Sequence, residues 1–317
     1  MFSYTRHICD EGHCNSGNVI PSHVWCTTSR SGALYRHISI LAWIGVLGKV
    51  CVAMFLFCSG YGLATQYKPQ SIKEDIKFVL RRLTKFYLNY WVVFIIFVPV
   101  TYFVFGRTLT DAYGEHVNIT KRFIYDIFGV QNPAYNITWW FNKLIIILYL
   151  LFPLLFRAIR LKPWLAVIFG MALMRYSAHI HIPYDNIDLC TWQFPFVLGI
   201  GWKCYEEKGA STQVWFDNHK PLAASVSLCI LMVWIILRMY PIIPHWSGIR
   251  IDGFLACAIA ICVISIARHM KYTKEALAFF GKHSMNIYMT HTFLNWYWCK
   301  DWLHTGEWMR GGVICSF

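Results

Sequence analysis

The residues best suited to chemistry lie in four short stretches spread along the chain. In "CVAMFLFCSGYGLATQYKPQ", residues 51–70, an apolar run reaches Ser59, Gly60 and Gly62, with Phe55 and Phe57 just before them. Glycines near a helix end let the backbone approach a ligand closely, and phenylalanines offer an apolar wall. The same small residues also serve plain helix packing. In "FVLRRLTKFYLNYW", residues 78–91, Arg81 and Arg82 stand ahead of Tyr87 and Tyr90. Paired guanidiniums grip a multiply charged phosphate through bidentate hydrogen bonds, and cations at such a place also fix the orientation of a membrane helix.

The third stretch, "NITWWFNKL", residues 136–144, holds Trp139 and Trp140, which fit an interfacial aromatic belt. Lys143, just inside, needs a partner, a cavity or a snorkelling path. The fourth, "FFGKHSMNIYMTHTFLNWYW", residues 279–298, places Ser284, Tyr288 and His291 at i, i+4 and i+7, hence on one helix face. A polar face within an apolar span looks onto protein or water, and a hydrogen-bonded packing strip satisfies it equally well. No acidic residue sits at helical spacing there, so a proton relay finds little support.

The elements that carry these stretches must be membrane helices. The 317 residues are 57% hydrophobic and 18% aromatic with only 14% charged, a balance that soluble domains seldom show. Apolar runs near the ~20 residues that cross a bilayer recur along the chain. Eight spans are read, at about 40–64, 86–105, 141–160, 163–180, 190–204, 221–240, 249–267 and 276–298, the fourth and fifth being short or polar. The expected fold is an all-α polytopic transmembrane bundle over residues 36–300, after a polar extracytoplasmic segment 1–35 and before a tail 301–317. No internal repeat or low-complexity tract marks a further domain.

Lysine and arginine set the orientation. One set of connections holds Lys68, Lys73, Lys77, Arg81, Arg82 and Lys85, then Arg157, Arg160 and Lys162, then Lys203, Lys208 and Lys220, then Arg268, Lys271 and Lys274. The opposite set is longer and carries fewer cations, which puts the first set in the cytoplasm and residues 106–138 outside. Within that outer connection Asn118 and Asn136 begin Asn-x-Thr triplets, a weak signal. The formal net charge of +13 is thus spent at the membrane surface, and no nucleic-acid motif accompanies it.

Residues 1–31 are polar and lack the apolar core of a signal peptide. His7, Cys9, His13, Cys14, His23 and Cys26 form a loose set, but Cys9 and Cys14 miss the spacing of a structural zinc pair, so no metal is expected; a disulfide stays open. Cys51, Cys58, Cys190, Cys229, Cys257 and Cys262 lie in or beside apolar runs and read as packing residues.

Taken in order, "VAMFLFCSGYGLA", "LRRLTKFYLNYW" and "FGKHSMNIYMTHTF" resemble three motifs of the integral-membrane acyltransferase 3 family: its Phe-Phe-x-x-Ser-Gly signature, its Arg-rich start of the next helix, and its late Ser-x-x-Ile-Tyr-x-x-His segment. The resemblance implies an enzyme that moves an acyl group, often acetyl, from cytoplasmic acyl-CoA to a hydroxyl of a sugar or cell-envelope glycan, in a bacterial cytoplasmic membrane. It implies that Phe55, Phe57, Ser59 and Gly60 line the donor entrance, that Arg81 and Arg82 hold CoA phosphates, and that His291 lies on the late helix. The family also carries an essential histidine on a helix upstream of the Ser-Gly signature. Here His7, His13, His23 and His37 match no helical motif, which leaves His37 and His291 as weak candidates for the base. Met1 is accordingly read as a late start that removes the family's first helix, with a C-terminal helix also missing and little activity expected. A transporter or flippase of an anionic or glycolipid substrate, and a catalytically dead member of the family, are the alternative readings.

Overall fold

The computed structural model describes residues 50–68, 71–114, 117–130, 134–177, 189–207, 220–239, 248–267 and 271–298. Among them all regular structure is helical: α1 (Val50–Gln66), α2 (Ile72–Phe103), α3 (Leu109–Tyr113), α4 (Ile119–Ile127), α5 (Trp140–Leu161), α6 (Pro163–Arg175), α7 (Leu189–Glu207), α8 (Lys220–Met239), α9 (Asp252–Ala267) and α10 (Lys271–Phe293). A helix lies on each of the eight apolar segments read from the sequence. Of these, α2 and α5 are long and apolar enough to cross a membrane by length and composition, while α1, α6 and parts of α8 and α9 are apolar but shorter. The His/Cys set of residues 7–26, His37 and residues 301–317 fall outside the described residues.

The basic connection after α1 is corrected by the structure. It does not extend to residue 85, because α2 already begins at Ile72 and runs for 32 residues, about 48 Å. Ser71 caps it by accepting from the Glu74 backbone N–H at 3.3 Å, and Glu74 and Asp75 complement the helix dipole in the first turn. Lys73, Lys77, Arg81, Arg82 and Lys85 therefore ride on a rigid helix. The outer connection, residues 106–138, likewise carries structure: α3 with a Thr108–Asp111 capping box, α4 capped by Asn118, and a tight turn at Ile137–Trp139.

Among the described helices α7 is central. It packs against α1, α5, α6 and α9, and its residues are buried nearly all round, from Cys190 to Val197 and on through Gly199, Ile200, Gly201 and Cys204. Its most extensive partner is α1, and the two cross at a pair of glycines. A Cβ on Gly60 would stand 2.2 Å from the Phe196 carbonyl oxygen, and one on Gly199 would stand 2.1 Å from the Phe57 carbonyl oxygen. Only glycine at both positions lets the backbones touch. Pro99, Pro153 and Pro195 lie inside α2, α5 and α7, each removing one backbone hydrogen bond, a loss that packed neighbours make tolerable in membrane helices.

The perimeter is apolar. Leu88, Val92, Ile95, Ile96 and Phe103 on α2, Trp164, Ile168 and Phe169 on α6, and Leu222, Met232 and Val233 on α8 are all exposed. So broad an uncovered apolar surface suits hydrocarbon rather than water. Cys190 and Cys262 are buried and Cys257 half-buried as packing residues, but Cys51, Cys58 and Cys229 lie exposed on this perimeter; all six are free thiols. A buried ion pair joins α8 to α9, Arg238 Nε donating to Asp252 Oδ1 at 2.5 Å.

Asp126 holds the outer connection together. It is 2% exposed; its Oδ2 accepts from the Tyr113 hydroxyl at 2.8 Å and the Ala134 N–H at 3.1 Å, while its backbone oxygen accepts from the Tyr90 hydroxyl at 2.5 Å. Burial raises its pKa from 3.8 to about 6 against the opposing pull of those hydrogen bonds, and burial also raises that of Tyr113.

Two predictions follow from this packing. Gly60→Ala forces α1 off α7 and lowers stability in detergent by about 1–3 kcal/mol, as overpacking does; an unchanged thermal midpoint contradicts the crossing. Because the folded-state pKa of Asp126 is raised, its contribution is complete below about 4 and is lost as pH rises through about 6. Asp126→Asn, which keeps an acceptor oxygen, therefore gains stability over the parent as pH goes from 4 to 8, by roughly 3 kcal/mol at most. A pH-independent difference between the two proteins counts against the buried carboxylate.

Candidate functional site

Holding Gly60 and Phe57 against α7 decides where the rest of α1 looks. Phe55, Ser59, Gly62 and Gln66, at i, i+4, i+7 and i+11, form the adjoining flank, which turns toward α2, α5 and α10. The structure thus splits the expected donor wall. Gly60 and Phe57 face α7, Phe57 lying 6.4 Å from the Trp202 ring, whereas Phe55 and Ser59 face the opposite neighbours. The open backbone belongs to Gly62, where a Cβ would meet nothing within 4 Å.

At the lower end of this flank Ser59 lies beside the Tyr149 side chain on α5, with the Arg82 guanidinium near the same phenol. Arg82 donates to Gln66 Oε1 and lies over the Phe78 ring at 5.3 Å. Arg81, one residue earlier and a quarter turn away, is exposed. The two arginines are therefore not a two-pronged clamp: Arg82 joins the Ser-Gly segment and Arg81 does not.

Beneath this end, Tyr67 and Arg157 both donate to the buried Asp75 carboxylate, tying the turn after α1 to α2 and α5. The Tyr67 ring sits among Phe78, Phe152 and Phe156. Burial, and then the Asp75 carboxylate it donates to, push the Tyr67 phenol up to about 12, so it remains a donor at neutral pH.

At the upper end α10 docks. The Tyr288 ring lies 5.8 Å from Phe55 and 5.1 Å from Phe141, and its hydroxyl donates to the Thr138 carbonyl at 2.6 Å. One helical turn on, His291 Nδ1 meets the Tyr288 carbonyl at 2.7 Å and Nε2 meets Thr292 Oγ1 at 3.3 Å. Ser284 instead donates to Gly281 on its own helix at 2.8 Å, so of the expected polar strip Tyr288 and His291 reach the site. Trp139 is corrected from an interfacial belt residue to a core residue: it is fully buried, donates to the Met289 carbonyl at 3.1 Å and packs on Tyr90, Phe94 and Phe293. Trp140 is half-buried against Trp192, and Lys143, also half-buried, has a partner.

Sequence reasoning missed Gln66, Tyr149, Asp75, Thr138 and Thr292. Gln66 carried a signal, falling at i+7 from Ser59; Tyr149 did not, being one aromatic in an apolar helix.

The result is a wall with a cation and an amide, Arg82 and Gln66, at one end, the Phe55, Phe141 and Tyr288 rings along it, and the His291 imidazole at the other. From Gln66 to Phe55 is eleven residues of helix, about 16 Å. Among the described residues no three His, Cys, Asp or Glu side chains group to hold a metal ion.

The family model described as an acyltransferase domain, that of acyltransferase 3, matches residues 18–317. None of the curated proteins and none of the solved structures matches the chain. The match spans all three of the motifs that the helices bring onto this wall, and the chain belongs to the membrane-embedded acyltransferase 3 family.

Proposed function

We propose that this acyltransferase takes an acyl group, acetyl as the simplest case, from cytoplasmic acyl-CoA and passes it to a hydroxyl of a sugar or cell-envelope glycan in a bacterial cytoplasmic membrane. The observation that carries the reading is the convergence on one wall of Arg82 from the second motif, Ser59 and Phe55 from the first, and Tyr288 and His291 from the third. The length supports it. The pantetheine arm of CoA, from phosphate to sulfur, extends to about 15 Å on the scale of an extended chain, close to the helical distance from Gln66 to Phe55. With the CoA phosphates at Arg82, the thioester reaches the rings of Phe55, Phe141 and Tyr288, next to His291.

In this reading the wall runs from a cytoplasmic mouth to an outer end. The cation-rich start of α2 marks the mouth, and the outer connection leads into Thr138 and the first turn of α5. A base withdraws the acceptor hydroxyl's proton as its oxygen attacks the thioester carbonyl; the C–S bond then breaks, and the departing sulfur takes the proton to leave as the CoA thiol. Of the two candidate bases, His291 lies against the Tyr288 ring, and His37 falls outside the described residues. Aromatic walls that exclude water protect the thioester from hydrolysis.

Arg82→Ala weakens acyl-CoA binding by ~10- to 100-fold, the loss of one charge-assisted hydrogen bond, whereas the exposed Arg81→Ala changes it by less than about threefold. Titration of the purified chain in detergent with acetyl-CoA checks this. Equal affinity of both variants and the parent contradicts the donor site and favours an orientation role for the basic helix.

A further inference from the structure

Asn142, in the first turn of α5, is fully buried, and among the described residues neither atom of its carboxamide has a hydrogen-bond partner. An unpaired buried amide costs stability, and native proteins hold such groups mainly where function uses them. On one side the turn after α4 covers it. A Cβ on Gly129 would stand 3.4 Å from the Asn142 Cβ. That turn is pinned to α2, because the carbonyls of Asp126, Ile127 and Phe128 accept from Tyr90, Trp91 and Tyr87 at 2.5, 2.9 and 3.0 Å.

Asn142 shares a stripe of α5 with Tyr149. Seven residues fall about 20° short of two full turns and rise about 10 Å. Tyr149 lies beside Ser59 and near Arg82, at the lower end of the wall. Phe141, next to Asn142 in the chain, packs on Phe55 and Tyr288 at ring distances of 6.4 and 5.1 Å. The stripe therefore runs along the wall from the Arg82 end, and the free amide stands at the height of the rings. A carboxamide asks for one donor and one acceptor. The pantetheine arm offers both near its end: the N–H of its second amide lies about 4 Å short of the sulfur, at the ~1.2 Å per bond of an extended chain, and the thioester carbonyl follows the sulfur. With a phosphate at Arg82, that N–H is about 12 Å along the arm, close to the rise from Tyr149 to Asn142.

We propose that Asn142 holds the acyl end of acyl-CoA: its Oδ1 accepts from the N–H of the pantetheine amide nearer the sulfur, and its Nδ2 donates to the thioester carbonyl. In an extended arm that N–H and that carbonyl stand on the same edge of the zigzag, about 5 Å apart, a spacing that the two atoms of one carboxamide bridge. The assignment rests on the acyl-CoA reading and is independent of which residue is the base. When the acceptor oxygen adds to the carbonyl carbon, the C=O electron pair moves onto the carbonyl oxygen, where Nδ2–H meets the growing charge; collapse returns the pair and expels the sulfur. Asn142 is enclosed in this structure, so the arm reaches it by displacing packed side chains. An amide unpaired until then gains its bonds without first breaking others.

The test titrates the full chain in detergent with acetyl-CoA, with S-ethyl-CoA, which has a methylene in place of the carbonyl, and with adenosine bisphosphate, the nucleotide head without the arm. Asn142→Leu, close to Asn in shape, is expected to weaken acetyl-CoA binding by ~10- to 100-fold and to leave that of adenosine bisphosphate within about threefold. The parent prefers acetyl-CoA to S-ethyl-CoA by ~10-fold, and the variant binds the two alike. In the infrared, the 13C-labelled thioester carbonyl of bound acetyl-CoA shifts to lower frequency in the parent and not in Asn142→Leu. Equal affinity of parent and variant for acetyl-CoA overturns the assignment and leaves the acyl-CoA reading standing. An unshifted carbonyl in the acetyl-CoA complex of the parent does the same, and needs no variant to fold. Weakened adenosine bisphosphate binding in Asn142→Leu marks a general loss of the site and overturns the assignment as well. A parent that binds neither acetyl-CoA nor adenosine bisphosphate overturns the acyl-CoA reading and the Asn142 assignment together.

Discussion

Everything on the candidate wall depends on the contact of the α1 and α7 backbones at Gly60 and Gly199. With each Cβ position blocked by a carbonyl of the other helix, α1 has one rotation about its axis that fits. That rotation buries Leu56, Phe57, Leu63 and Ala64, turns Cys51 and Cys58 outward, and aims Phe55, Ser59, Gly62 and Gln66 at α2, α5 and α10. The Ser-Gly segment thus has two functions on two faces. Gly60 sets the rotation, and Ser59 and Gly62 use it.

A second set of polar bonds fixes the heights at which the other helices meet α1. The Tyr67–Asp75–Arg157 cluster holds the lower ends of α2 and α5, and the Tyr288 hydroxyl on the Thr138 carbonyl holds α10 against the start of α5. Both are buried or half-buried, where a polar group without its partner is expensive, so they resist sliding more strongly than apolar packing does. Register between the Arg82 end and the His291 end follows from these bonds.

Much of this was legible in the chain. Apolar runs located eight of the ten described helices, and three ordered motifs named the family. The remainder was hidden for physical reasons. The extent of α2 was obscured because cations read as loop, although Ser71, Glu74 and Asp75 form an N-terminal signature that marks its start. The centrality of α7 was masked by Gln193, Pro195 and the glycines, which lower its apolar signal although it is buried nearly all round. Trp139 read as an interfacial ring because Trp is common there, whereas its burial depends on α2 and α10 lying across it. Arg81 and Arg82 looked equivalent in sequence and were separated only by the rotation of α2. The contacts of Thr138 and Thr292 depend on which helices touch, and spacing along the chain carries no such information.

The central claim is that the three motifs form one acyl-CoA wall, with the acyl end at Phe55, Phe141 and Tyr288. An acyl-CoA analogue bearing a photoreactive group at its acyl terminus tests this most directly, with cross-linked residues identified by peptide mapping and unlabelled acetyl-CoA as competitor. The account predicts competed cross-links on α1 near Phe55 and Ser59, on α5 between Phe141 and Tyr149, and on α10 near Tyr288. Cross-links confined to the outer connection or the apolar perimeter, or labelling that acetyl-CoA does not compete, would contradict it.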